Sequence, residues 1–214
     1  QLLRNVASEP PLSVALGPDG AGSRGWIDAF PASTLFHEAV ARDESLPCAF
    51  AAHAVSVAES ATPAFRALVS LEAALVRARR RPRPMGQQDL PRGHAKRSRR
   101  AELLALPAGS FALAGRVREA LDVGDAPCGP SPGAFREDAR ETLLVVARPP
   151  VSRWALPELH VEPLPDLVAS FLEAAGRALS PTDRAAFAKE HGLAEEPVEA
   201  LVREFVAEGA LDQG

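Results

Sequence analysis

The sequence predicts an α+β fold that is mostly α: an N-terminal helical bundle, then a domain in which strands precede three helices. Three observations carry this. Segments between Ser33 and Arg80 repeat apolar residues at helical spacing. The stretch from Arg77 to Arg100 holds ten Arg or Lys residues against a single acid, Asp89, and is interrupted by Pro82, Pro84, Gly86, Pro91 and Gly93. Finally, ELHVEPLPDLVASFLEAAG (Glu158 to Gly176) passes from strand-like to helical spacing with almost no loop between.

Taken in order, residues 1 to about 30 are rich in Pro and Gly and read as an extended lead-in. Ser33 is placed to cap a helix over STLFHEAVARDES. A second helix fits Leu46 to Glu59, with Pro47 in its first turn. A third begins at Pro63 behind Thr62 and sets Phe65, Leu68, Val69, Leu71, Leu75 and Val76 on one broad apolar face. These short consecutive helices should pack on one another. The basic run at 77–100 cannot bury a core, so it reads as a solvated linker and places the boundary between domains 1–100 and 101–214.

The second half restarts at Ala101 with a short helix or strand, then a helix toward Leu121, and GDAPCGPSPGAF is a loop. ETLLVVARP (Glu141 to Pro149) is the strongest strand signal, and PPVSRWALP is a turn or wing-like connection to ELHVEP. In that next strand Leu159 and Val161 alternate with His160 and Glu162. Three helices follow. Ser180-Pro181-Thr182-Asp183 is a capping-box variant, and the last helix runs from Pro197 to Glu208 before Gly209. Strands leading into three helices give the outline of a winged helix.

Composition narrows the function. The chain has 214 residues, 46% of them hydrophobic, enough to bury a core, and its net charge of −4 argues against a surface built for nucleic acid. No run of about 18 apolar residues exists to span a membrane, and QLLRNVASEPP lacks the basic start and apolar stretch of a signal peptide, so a cytoplasmic protein is expected. Cys48 and Cys128 match no metal spacing. The five histidines form no HxH or HExxH, and Cys48 with His53 reads as a buried thiol beside a partly exposed imidazole. There is no GxGxxG, GxxxxGK[ST] or GxSxG, so no catalytic site is expected. The abundant Asp and Glu read as ordinary solvation of outer helix faces.

A winged helix that binds DNA wants a basic recognition helix. Here the last helix carries Glu195, Glu196, Glu199, Glu204 and Glu208 against Arg203 alone, which phosphates would repel. A transcription regulator using the arginine-rich stretch as its DNA contact is the alternative. An extended peptide is the better fit: it would add to the edge of Leu159, His160, Val161 and Glu162, with its side chains entering a groove formed by Val198, Leu201, Val202 and Phe205.

Here the sequence resembles the winged-helix recognition elements that hold leader peptides in ribosomal-peptide modification. Together with LVSLEAALVRARR, LALPAGSFAL and LLVVARPPV, most of residues 33–212 resembles the partner proteins of multinuclear non-heme iron oxidative enzymes, among them those of methanobactin and 3-thiaglutamate biosynthesis. The resemblance implies a non-catalytic subunit with no cofactor of its own, the iron lying in the partner enzyme. That subunit binds the enzyme and presents a precursor peptide whose cysteines the enzyme rearranges.

Overall fold

The computed structural model describes residues 11–19, 24–80, 90–125, 134–148 and 157–214. The α+β, mostly α class is observed. The chain forms two compact units, one from Gln1–Arg80 with Ala105–Glu141, the other from Arg81–Leu104 with Thr142–Gly214. A single cut at residue 100 is therefore corrected: the chain passes between the units three times, and two of the passages lie inside strands.

The first unit holds helices α1 (Pro11–Leu16), α2 (Gly25–Ala29), α3 (Thr34–Ala41), α4 (Leu46–Ala58), α5 (Pro63–Arg80) and α6 (Ser110–Val123), with a 3-10 turn at Phe30–Ala32. The local signals worked as expected. Ser33 Oγ accepts from Phe36 N–H at 3.2 Å, and Thr62 Oγ1 from Phe65 N–H at 3.4 Å. In α5, Phe65, Leu68, Val69, Leu71 and Val76 are all buried. The extended lead-in is corrected, because Leu12, Leu16, Trp26 and Phe30 belong to the core. Trp26 stacks on Phe50 at 5.3 Å between ring centroids and meets Phe65 edge-on, while Phe30 meets Phe50 edge-on. Aromatic side chains bury large areas, which is what holds so short a helix as α2 in place.

Cys48 and His53 exchange the roles expected of them. His53 is buried, with Nε2 2.9 Å from the Trp26 carbonyl, whereas Cys48 is half-buried and free. Cys128 lies outside the described residues. Glu72 also departs from expectation, since this helix acid is 2% exposed rather than solvated. Its carboxylate accepts from the backbone N–H groups of Leu12 at 2.6 Å and Ser13 at 2.8 Å, satisfying the first-turn donors of α1.

The second unit contains β1 (Ala95–Arg97), the first half of β2 (Ala101–Ala108), most of the hydrophobic part of β3 (Arg136–Arg148), β4 (Glu158–Leu164), helices α7 (Asp166–Ala174), α8 (Pro181–Glu190) and α9 (Glu195–Glu208), and β5 (Leu211–Gln213). Three helices after a strand are observed, as is the Ser180–Asp183 capping box. Gly209 ends α9 at φ +78°, a backbone region that suits glycine.

The linker reading is corrected on both flanks of 81–89, a stretch that lies outside the described residues. Arg77 to Arg80 complete α5. Ala95 to Arg97 pair antiparallel with Gln213 to Leu211, and Ala95 exchanges backbone hydrogen bonds with Leu179 at 2.9 and 2.7 Å. Basic side chains do not prevent pairing here, because the small Ala95 and Ser98 are buried while Lys96 and Arg97 between them stay half-exposed. The buried Arg184 guanidinium forks onto Glu199 (2.7 and 3.3 Å) and donates to the Gly93 carbonyl at 2.8 Å, joining α8, α9 and the approach to β1.

Glu72 sets a pH dependence. Burial raises its pKa from 4.5 to about 7, against the pull of the Ser13 and Leu12 hydrogen bonds and Arg118. Between those values the folded chain holds a proton that the unfolded chain has released. Stability from this group is thus full below about 4.5 and falls as pH rises toward about 7. Glu72→Gln removes the titration. The stability difference between parent and variant, read by denaturant unfolding, should change by up to about 1.4 kcal/mol per pH unit inside that window and be flat above it.

Candidate functional site

The candidate site is the outer edge of β4, and its geometry follows from β3. Leu143, Leu144, Val145, Val146 and Ala147 are all buried, so both faces of β3 are covered, as a continuous apolar run requires. The strand signal expected at Glu141–Pro149 is observed but starts earlier, at Arg136, where the REDAR segment continues the strand with its four charged side chains exposed and Ala139 half-buried. Pro149 and the wing-like connection through Leu156 lie outside the described residues.

Among the described residues the sheet has three strands in the order β2-β3-β4, which leaves β4 at one edge. The register pairs Leu143 with Pro163, Leu144 with Glu162, Val145 with Val161, Val146 with His160 and Ala147 with Leu159. Which amides face outward follows from two facts. Ala147 N–H donates to the Arg100 carbonyl at 3.0 Å, on the β2 side. In an antiparallel strand a residue's N–H and C=O point to one side, and those of the next residue to the other. Val145 and Leu143 therefore also face β2, and Val146 and Leu144 face β4. Across the register, His160 and Glu162 direct their backbone groups inward to β3, while Leu159 and Val161 direct theirs to the open edge. Pro163 agrees independently, because it has no N–H to donate and falls at an outward position.

Side chains divide along the same alternation. Paired antiparallel residues share a face, so His160 and Glu162 lie on the face of Val146 and Leu144, which belong to the core formed with α7, α8 and α9. His160 Nε2 is 3.3 Å from Glu162 Oε2, and both side chains are about a third exposed (38% and 33%). Leu159, Val161 and Pro163 turn to the opposite face, with Leu159 and Val161 half-buried.

The α9 part of the expected groove is corrected by burial. Val198 and Val202 are each 1% exposed and Phe205 is 5% exposed, all inside the core with Phe171 and Leu172. A ligand cannot touch them without unpacking the unit. Only Leu201 of that set is half-buried. The helical spacing of the four residues was read correctly, but such spacing marks the face that packs, and that face is the core. The outward charges of α9 are partly spent within the chain: Glu199 on Arg184, and Glu196 on Arg203 at 3.2 Å.

Among the described residues no three His, Cys, Asp or Glu side chains converge as metal ligands, and no helix is long and apolar enough to cross a membrane. No protein-family model matches this sequence, and no curated protein matches it at a significant level.

The alternation is testable by proline. His160→Pro removes a ladder donor aimed at β3 and should lower the melting temperature sharply. Val161→Pro removes only an outward donor and should melt close to the parent. Thermal unfolding followed by circular dichroism separates the two, and equal melting of both variants would contradict the assigned direction of the amides.

Proposed function

We propose that this chain is a non-catalytic partner subunit that binds a precursor leader peptide as an added strand on β4 and presents it to a multinuclear iron-dependent oxidative enzyme. The observation that carries this reading is the edge of β4: an apolar-flanked strand whose Leu159 and Val161 amides face outward, seated on a three-helix unit. Strand addition supplies affinity through the main chain and selects through side chains on alternate faces. Leu159 and Val161 would meet apolar residues of the leader. His160 and Glu162 would meet its polar ones on the helix-bearing face. The resemblance of LVSLEAALVRARR, LALPAGSFAL and LLVVARPPV to the partner proteins of such enzymes supplies the remainder of the reading. On it the iron belongs to the other subunit, and this chain lends position rather than chemistry.

Two features weigh against a DNA-binding winged helix. The helix that would enter the groove keeps Glu195, Glu204 and Glu208 in addition to its paired acids. Part of the basic stretch invoked as the DNA contact is folded as β1.

The experiment has two arms. An iron-containing enzyme encoded beside this chain should copurify with it, and a labelled leader from a neighbouring cysteine-containing precursor should bind in titration. Val161→Pro, still folded, should weaken leader binding on the order of tenfold, about 1.4 kcal/mol. Unchanged affinity in that folded variant rules out strand addition at β4. Tight, salt-sensitive binding of random duplex DNA with no leader binding would replace this reading by the regulator.

A further inference from the structure

The helical unit carries a cleft of about 210 Å³ that the leader-binding edge does not use. Its walls come from one face of the first turns of α5, from Ala105, Leu106 and Pro107 of β2, and from the charged start of β3. Three charged side chains line it: Arg66, Arg140 and Glu137. Arg66 Nη2 is 3.3 Å from Glu137 Oε2, and its Nη1 donates to the Ala61 carbonyl at 3.3 Å. Both members of this pair are largely exposed, at 44% and 58%, so it is held weakly. The Arg140 side chain makes neither a hydrogen bond nor an ion pair among the described residues. The cleft thus carries one net positive charge and one unspent guanidinium.

We propose that this cleft is a binding site for an acidic peptide segment, one of whose side-chain carboxylates is taken by Arg140 and shared with Arg66. The fork of an arginine matches a carboxylate with two parallel hydrogen bonds, and the Arg66–Glu137 pair displays the same chemistry within the chain. The volume is below the roughly 300 Å³ at which pockets begin to enclose a drug-sized ligand, so it suits a side chain rather than a nucleotide. Pro63 and Pro107, both half-buried, provide apolar wall for the methylene groups of a glutamate, with the buried Leu106 and Ala67 beneath them. Glu137 acts as a built-in competitor: an incoming carboxylate displaces it from Arg66, which keeps affinity modest and makes it depend on ionic strength. This site is independent of the leader-binding proposal, since no residue is common to both.

The probe is a short fluorescein-labelled, amidated peptide of alternating glutamate and leucine, titrated into the full chain at low salt and read by anisotropy. Its counterpart with glutamine in place of glutamate should bind at least tenfold more weakly. Arg140→Gln should weaken the glutamate peptide by tenfold or more, Arg66→Gln by less, and Glu137→Gln should tighten it severalfold. All three positions are exposed, so the variants should melt with the parent, and circular dichroism checks that they do. The Val161→Pro variant should bind the probe as the parent does. If it does not, the probe sits on β4 and the cleft assignment is overturned. Equal binding of the two peptides, an unaffected Arg140→Gln, or weakening by Glu137→Gln overturns it as well. Displacement of the probe by inorganic phosphate at concentrations where free glutamate has no effect would reassign the cleft to phosphate and overturn the peptide.

Discussion

Strand β3 is the constraint on which the second unit and its edge depend. Its backbone is divided residue by residue: Ala147 donates toward β2, and Val146, one residue away, faces β4. With side chains from Leu143 to Ala147 buried on both faces, the strand cannot slip by one residue without reversing the face of every side chain and the partner of every amide. Pro163 holds the same register from the other strand, because an inward proline would leave a β3 carbonyl without a donor. The outward direction of Leu159 and Val161 is therefore a consequence of the buried strand beside them rather than a property of β4 alone.

Charged side chains close the backbone elsewhere. Glu72 satisfies the first amides of α1 from within α5. Glu141 does the same for α6, accepting from Gly109 N–H at 3.2 Å and Phe111 N–H at 2.7 Å, and Gly109 takes φ +90° to start that helix. Arg184 closes carbonyls at Gly93 and Leu179. Except at Leu179, five residues before Arg184, a residue distant in sequence supplies what local capping does not. Hydrogen bonds offset the burial of Glu141 and Arg184, whereas burial holds a proton on Glu72 toward about pH 7. These anchors explain how a helix of six residues such as α1 and a strand of three such as β1 remain ordered, since neither is stable by itself.

What was legible in the sequence follows the same division. Signals carried by a few adjacent residues read true: the caps at Ser33, Thr62 and Ser180, the glycine stop at Gly209, and the apolar face of α5. Signals that depend on a distant partner did not. Nothing near Glu72 announces that it will meet Leu12, and nothing in AKR shows that the chain end will pair with it. Charge density misled at Arg97, whose backbone pairs while its side chain reaches the Leu172 carbonyl at 3.4 Å. For the candidate site, the strand and its alternation could be read, but not the direction of the amides. That direction depends on Arg100 and Ala147, which are far apart in the chain. The apolar spacing of Val198, Val202 and Phe205 was visible as well, yet periodicity cannot distinguish a face that packs from one that binds.

The edge itself limits how a peptide can be held. It offers roughly two outward N–H donors, from Leu159 and Val161, and three outward carbonyls, since Pro163 contributes only an acceptor. At about 1 kcal/mol net for each hydrogen bond, the full set contributes about 5 kcal/mol. Association costs at least about 4 kcal/mol in lost freedom of motion, so the backbone ladder alone leaves almost nothing. Useful affinity must then come from side chains, and the alternation decides which. Leu159 and Val161 present apolar surface on one face. The His160–Glu162 pair presents charge and hydrogen bonding on the other, where Leu201 is the one residue of the expected α9 set that is not fully buried. A bound strand that places apolar residues against the first face and a basic residue near Glu162 uses both. A strand shifted by one residue would bury its charge against Leu159 and Val161, so under the proposed strand addition the alternation that orders the sheet would also select the register of the added strand.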